Sequence, residues 1–418
     1  MAMCAHAGER PECRGERRRQ PCIFRRSYTT PTVTTVVPTE ISDPLNARVL
    51  AVSEDRIAGF LEEPFAEIAR LAELPVDVVH ERIRAMLGAG TIRRVRQTLM
   101  ATNLAPGALV AWRVPADKLD AAFEYMSKDD PFSGHVVIRS TDAETTGSAY
   151  RLWTTLKVPV GFSMQKHCDY LARIVGADGY RIMPAKRLFA LGVGHVRRRG
   201  IEPGSKTDEP GQVMDTAIAQ LSALDWRVLE ALKRELSADE IGSEPWRLRA
   251  AEAGVSYEEF VRVARSLADR GVIGRFSTFL EHVKPSSEGT RVTRYNALFH
   301  WQVPEGREIE AGREVGRHHI LTHAYWREGG PEFGNVNVMA VAHGTEKPLV
   351  LAHKAAIDRH LASVGIPVAY TNVFWGGRSE IKPSEIVPSA YVKWCRRVGI
   401  DPEAMRATDG SEPQQSGL

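Results

Sequence analysis

His323, Tyr325 and Arg327 recur at every second position of the run Leu321-Thr-His-Ala-Tyr-Trp-Arg327. Successive strand side chains point to opposite faces, so a strand here presents all three on one face. An Arg fork binds a carboxylate through two parallel N–H bonds. A His titrates near neutrality and can pass a proton or ligate a metal. The tyrosine between them can orient the His or donate a proton itself. His135 and Arg139 frame the same kind of run earlier in the chain and share a strand face by the same rule. The ordinary alternative is an inter-domain network of Arg paired with Glu, because a lone strand His is usually a satisfied, partly buried residue.

The recurrence extends well beyond these residues. Glu63-Pro64-Phe65 through Gly90-Thr91-Ile92-Arg93-Arg94 aligns without a gap on Glu244-Pro245-Trp246 through Gly271-Val272-Ile273-Gly274-Arg275. Ala111-Trp112-Arg113-Val114-Pro115 returns as His300-Trp301-Gln302-Val303-Pro304. A period of roughly 180 residues is too long for a solenoid unit and describes a fused pseudo-dimer of whole modules. The halves have diverged: Arg151 stands where Asn337 does, Lys157 where His343 does, and Thr145-Thr146-Gly147-Ser148 is a small, flexible insert.

The elements that position these residues follow from periodicity. Glu63-Pro64 opens a helix with Phe65, Ile68, Ala69 and Leu71 on one face. A second helix runs over Val78 to Leu87, stopped by Gly88 and Gly90, and Thr91 to Leu99 follows as a strand. Helix, turn, helix and wing predict a winged helix-turn-helix. After Pro106-Gly107 the order β-α-β-β-α-β, ending in one extended run over Tyr180 to Val193, predicts a ferredoxin-like domain. The second half repeats the plan, with Ser256 and Glu259 as a capping box.

The expected fold class is therefore α+β, in two tandem modules. They divide into a disordered Arg-rich leader (1–44), a winged helix-turn-helix (45–104), a ferredoxin-like domain (105–196) and a linker (197–216). A second winged helix-turn-helix (217–290), a second ferredoxin-like domain (291–376) and a C-terminal extension (377–418) complete the chain. The two sheets are expected to pack on each other, with Trp112 and Trp301 in the core between them.

Hydrophobic residues at 43% and charged residues at 26% describe an ordinary soluble protein. The net charge of +3 sits in the leader, whose first thirty residues hold seven Arg against three Glu. The near-neutral remainder lacks the footprint of a nucleic-acid binder. Five cysteines without a C-x-x-C pair suggest neither a zinc site nor a disulfide framework. No apolar run approaches the ~18 residues of a membrane span, and no signal-peptide core is evident, so the cytoplasm is the expected location.

A winged helix-turn-helix followed by a ferredoxin-like domain resembles the leucine-responsive/AsnC regulator family. Glu-Pro-Phe/Trp, the Gly-x-Ile-x-Arg wing, Ala111-Trp112-Arg113-Val114-Pro115 and Thr322 to Arg327 resemble its siroheme decarboxylase branch more narrowly. So does Gly334-Asn-Val-Asn337-Val-Met-Ala-Val-Ala-His343-Gly344, although Val336 and Val338 replace the aromatics usual beside the Asn. Members of that branch are paired or fused subunits that remove two acetate carboxyl groups from an iron tetrapyrrole, on the routes to haem and haem d1. The resemblance implies a carboxy-lyase with siroheme as substrate and no required cofactor. It implies Arg327 and Arg139, on neighbouring strands, as anchors for the remaining carboxylates, with Asn337, Arg151 and Lys157 in support. His323, His343, His135 and Tyr325 become the catalytic candidates, and His323 or His343 the iron ligand, with no other metal. The tetrapyrrole is the expected partner, membrane and DNA are not, and a homo-oligomer is left open. Two alternatives stand beside this reading. One is an AsnC-type DNA-binding regulator sensing a small metabolite, for which the wing Arg93-Arg94-Arg96 is the only decently basic element. The other is a tetrapyrrole-binding protein without turnover.

Overall fold

The computed structural model describes residues 37–191, 200–214, 218–281 and 294–408. Most of the expected leader, parts of the linker, residues 282–293 and the tail from 409 lie outside the described residues.

The first half runs α1 (Pro44–Ser53), β1 (Ile57–Ala58), α2 (Pro64–Ala72), α3 (Val76–Gly88), β2 (Ile92–Leu99), β3 (Gly107–Arg113), α4 (Leu119–Lys128), β4 (Ser133–Ser140), β5 (Leu152–Lys157), α5 (Met164–Val175), β6 (Gly179–Pro184) and β7 (Arg187–Leu191). The second runs α6 (Ala223–Leu232), α7 (Arg247–Ala253), α8 (Tyr257–Asp269), β8 (Ile273–Leu280), β9 (Tyr295–Gln302), α9 (Glu308–Gly316), β10 (Leu321–Trp326), β11 (Val338–Gly344), α10 (Lys347–Ser363), β12 (Tyr370–Ile381) and α11 (Pro388–Arg397). Helix α1 was not anticipated. The Asp43 carboxylate caps it by accepting from the Leu45 and Asn46 amides, with Pro44 at the first position.

Helices α1–α3 and α6–α8 share one core, in which Phe65 and Ile83 of the first half meet Trp246 and Phe276 of the second. Strand β8 pairs with both β1 and β2, which joins the two halves in a three-stranded sheet. The basic wing is consumed by that pairing. Arg94 is buried with its guanidinium 3.4 Å from Glu235, and Arg96 lies 5.2 Å over the Phe279 ring.

The remaining strands form one antiparallel sheet in the order β6-β3-β5-β4-β12-β9-β11-β10-β7. The first half contributes five strands and the second four, but the halves join edge to edge instead of packing face to face as expected. Strand β12 outruns its own sheet: Tyr370 to Gly376 pair with β9, and Trp375 to Ile381 pair with β4. The run Tyr180 to Val193 behaves likewise and is not one strand. It breaks at Ala185-Lys186, after which β7 pairs with β10, Ala190 opposite Ala324. Each crossing satisfies backbone groups that an edge strand would leave unpaired. Because β6 leads into β7 across two residues, the two ends of the sheet are tied together and it must curl.

Three corrections follow from this topology. Trp112 and Trp301 lie on the outer, helix-covered face, where their indoles donate to Thr154 and Asp358. Strands β4 and β10, carrying Arg139 and Arg327, are not neighbours, since β12, β9 and β11 intervene. The boundary drawn after residue 376 cuts through β12.

The C-terminal extension closes the first half. Tyr391, Trp394 and Cys395 of α11 are buried in its outer core beside Phe132 and Phe162, and the Tyr391 hydroxyl is 2.9 Å from His167 Nδ1. The described part of the linker is docked on the second half. Thr207 N donates to Arg317 O at 3.1 Å, and Gly211 N to Arg313 O at 2.9 Å. Among the described residues, no helix is long and apolar enough to cross a membrane.

Candidate active site

Register defines which residues correspond inside the curled sheet. Ala111 pairs with Trp153 and Arg181, and His300 pairs with Met339 and Asn372. Counting along each strand makes Lys157 the equivalent of His343, Arg181 of Asn372, and Met183 of Phe374. His135 and His323 correspond through their partners Thr155 and Val341. The inner face is apolar at its centre, where Ala111, Val137, Trp153, Met183, Leu298, Met339 and Phe374 form one cluster. The candidate residues lie around it.

Arg327 follows β10, with its amide donating to Asn337 O at 3.1 Å. Its buried guanidinium lies 4.4 Å over the Tyr325 ring and donates Nη1 to the Met183 carbonyl of the first half. Arg139 mirrors it, donating Nη1 to the Phe374 carbonyl at 3.2 Å. Lys157 ends β5 against Gly107, where a Cβ would fall 2.5 Å from Nζ. Arg181 lies on Gly330, whose φ of +79° and lack of a side chain admit the guanidinium. Among the described residues, none of Arg139, Lys157, Arg181 and Arg327 has a carboxylate at ion-pair distance. A buried cation without an acid is expensive, and a bound anion removes that expense.

Electrostatics follows from the same burial. Burial and the neighbouring Arg327 push the Lys157 ammonium down to about 7. Burial pushes Arg139 down to about 10 and lowers Arg327, against the pull of Tyr325. The Tyr325 hydroxyl is raised by burial, and Arg327 offsets part of that.

The other predicted residues separate. His323 stacks on Tyr325 with ring centroids 6.0 Å apart and planes 12° off parallel, and its Nδ1 is 3.0 Å from Thr322 Oγ1. His135 Nε2 is 2.9 Å from Ser379 Oγ on the crossing end of β12. His343 shares a cross-strand row with Asn296, Gly376 and Arg139. Arg151 is exposed, and its carbonyl accepts from the Arg139 amide at 2.7 Å. Asn337 is buried and committed to structure. Its Oδ1 accepts from Val303 N at 2.9 Å, while Nδ2 donates to Val303 O and Glu308 Oε1.

Sequence reasoning passed over two residues. Arg181 faces inward with Met183 on β6, opposite in parity to Tyr180 and Ile182, and that alternation was the available signal. His300 stands where the first half has Ala111, fully buried among Trp153, Phe333 and Phe374, with neither ring nitrogen hydrogen-bonded among the described residues. Burial first, then Arg139, pushes it down to about 3, so it is neutral. Among the described residues, no three His, Cys, Asp or Glu side chains are grouped to hold a metal. Two open grooves of about 520 and 610 Å³ on the helical body, around Glu62 and Tyr257, involve none of these side chains.

The curled antiparallel sheet thus places Arg139, Lys157, Arg181 and Arg327 around one apolar inner face, without a carboxylate at ion-pair distance among the described residues. Residues 105–190 match the family model for the AsnC-like ligand binding domain. Within that class the chain resembles siroheme decarboxylases. The siroheme decarboxylase of Hydrogenobacter thermophilus is 23% identical over 304 residues, which cover 72% of this chain and 84% of that protein. The siroheme decarboxylase NirH subunit of Pseudomonas aeruginosa is 26% identical over 115 residues, 28% of this chain and 64% of that subunit. The fold is similar to the crystal structure of the siroheme decarboxylase NirDL, with a TM-score of 0.59 and 18% identity, covering 84% of this chain and 97% of that one. Its complex with an iron-uroporphyrin III analogue gives 0.58 at 18% identity, covering 85% and 99%. At that identity the likeness is one of fold.

Proposed function

We propose that this chain is a siroheme decarboxylase-like carboxy-lyase, acting in the cytoplasm on the acetate arms of an iron tetrapyrrole. The observation that carries this reading is the set of inward cations, Arg327, Lys157 and Arg181, none of which has a carboxylate at ion-pair distance among the described residues. A tetrapyrrole bearing many carboxylates supplies the missing charge, and the apolar centre of the sheet suits its ring. The similarity to siroheme decarboxylases along most of both chains supports the same substrate class. Each half is read as a winged helix-turn-helix plus a ferredoxin-like domain, which the element order and the 4-1-3-2 strand order of each half support.

In the reaction the C–C bond to the carboxylate breaks, CO₂ leaves, and the electron pair stays on the CH₂ that remains attached to the ring. One proton then makes it a methyl group, and the cycle repeats on a second arm. Arg327 and Arg181 hold the carboxylates that are not lost. His323, fixed by its stack on Tyr325, is the proton donor, with Tyr325 orienting it. His323 or His343 is the residue to ligate the iron. The regulator reading gains nothing from the geometry, since Arg94 and Arg96 are engaged within the helical body.

The test is anaerobic incubation of the full chain with siroheme, followed by mass analysis of the pigment. Loss of two carboxyl groups, abolished by Arg327→Ala and by His323→Ala, is the expected result. Pigment bound at unchanged mass makes the chain a carrier, and absence of binding ends the reading.

A further inference from the structure

The two halves build two equivalent half-sites, each completed by an arginine from the other half. On one side Arg327 meets Met183, beside Lys157 and Arg181. On the other Arg139 meets Phe374, beside His343 and Asn372. These half-sites are no longer alike. Arg181 is a fixed cation and Lys157 a titrating amine at about 7, whereas their equivalents are Asn372, which is neutral, and His343. Leu109, Arg181 and Tyr325 are partly exposed, whereas their equivalents Leu298, Asn372 and Val137 are buried.

The cause of the closure is one ring. Phe333, in the loop between β10 and β11, is 1% exposed and packs 5.3 Å from Trp153, 5.9 Å from Phe374 and 6.2 Å from His300. The matching loop between β4 and β5 has Gly147 where Phe333 stands, and its buried Tyr150 packs 5.2 Å from the Phe333 ring, adding to the same filling. Gly147 is itself pressed on Phe333, where a Cβ would come within 2.8 Å of Cδ1. Around the Arg139 side stand His300, Phe374 and Trp153, where the Arg327 side has Ala111, Met183 and Met339.

We propose that the half-sites have parted roles: the chain binds a single tetrapyrrole-sized polycarboxylate, on the Arg327–Lys157–Arg181 side, and Phe333 fills the Arg139 side. The ligand class rests on the decarboxylase reading above, while the asymmetry rests on register, charge and packing. Arg181 thereby becomes a binding residue and Asn372 a bystander, and of the two candidate iron ligands only His323, stacked on Tyr325 beside Arg327, lies on the occupied side.

The experiment is an anaerobic absorbance titration of the full chain with siroheme, carried to its end point. One equivalent per chain is expected, with affinity lowered about tenfold or more by Arg181→Gln, which removes a charge-assisted contact, and left within about twofold by Asn372→Ser. Asn372 is buried and accepts from Thr141 Oγ1 at 2.8 Å, a bond that serine can replace, and a thermal melt checks that each variant is folded. Two equivalents in the wild type overturn the proposal and leave the decarboxylase reading standing. One equivalent weakened by Asn372→Ser and indifferent to Arg181→Gln puts the pigment on the other side and also overturns it. No binding removes the reading itself, and the proposal with it.

Discussion

Arg139 and Arg327 hold equivalent positions, and each donates Nη1 to a backbone carbonyl of the opposite half, Arg139 to Phe374 and Arg327 to Met183. Those carbonyls are themselves equivalent in register. The reciprocity means that neither half builds a complete cationic site alone. A guanidinium has five N–H donors, so one carbonyl contact leaves most of the fork for a ligand.

Arg327→Lys keeps the charge but loses the fork. Hydrogen bonds to charged groups contribute about 1.5–3 kcal/mol, so siroheme affinity should fall roughly 10- to 100-fold, and further for Arg327→Ala. An absorbance titration measures this. Wild-type affinity in Arg327→Lys would remove the residue from the binding machinery.

Lys157 gives the site a pH dependence. Its ammonium sits at about 7 in the free protein, so it is mostly neutral at pH 8. A carboxylate beside it favours the charged form, so binding at pH 8 should take up a proton and weaken as pH rises. Calorimetry in two buffers of different ionisation enthalpy reads the uptake, and Lys157→Met should abolish it. Linkage adds a second sign: the unfolded chain keeps this proton up to about 10.4, so Lys157 makes ligand-free stability rise with pH between about 7 and about 10. A Lys157→Met variant with an unchanged proton count would assign the uptake elsewhere.

His300 is a polar ring in an aromatic cage, with both nitrogens unpartnered among the described residues. His300→Leu keeps similar bulk and removes the unpaired polar atoms, so the protein should gain about 1–2 kcal/mol. Chemical denaturation decides it, and a loss of stability would mean that the ring has a partner such as a buried water.

Trp394 lies in the first half's core although it comes near the end of the chain, edge-on to Phe132 at 5.4 Å. Trp394→Ala should lose about 3–5 kcal/mol, read as a lower urea midpoint. A change below about 1 kcal/mol would make α11 a loose appendage.

Much of this was legible in alternation and recurrence. The shared face of His323, Tyr325 and Arg327 and the correspondence of Lys157 with His343 were both visible in the spacing. The crossings of β7 and β12 were not, because pairing between strand edges is made by backbone groups common to every residue. Alternation also separates Ala111 from Trp112 without saying which faces inward, so the tryptophans were assigned to the wrong layer. Asn337 misled because a buried amide at a strand start can serve the backbone of Val303 as readily as a ligand.

The path of β12 has a consequence for biosynthesis. Strand β4 leaves the ribosome with its outer edge bare, and that edge is covered by residues 375–381. At about 5–20 residues per second, the delay between β7 and the end of β12 is on the order of ten to forty seconds. Throughout that interval the first half is a nascent domain with an open strand edge and no α11 over Phe132. Its native form becomes available only once β12 and α11 have been made, so the two halves mature as a single unit.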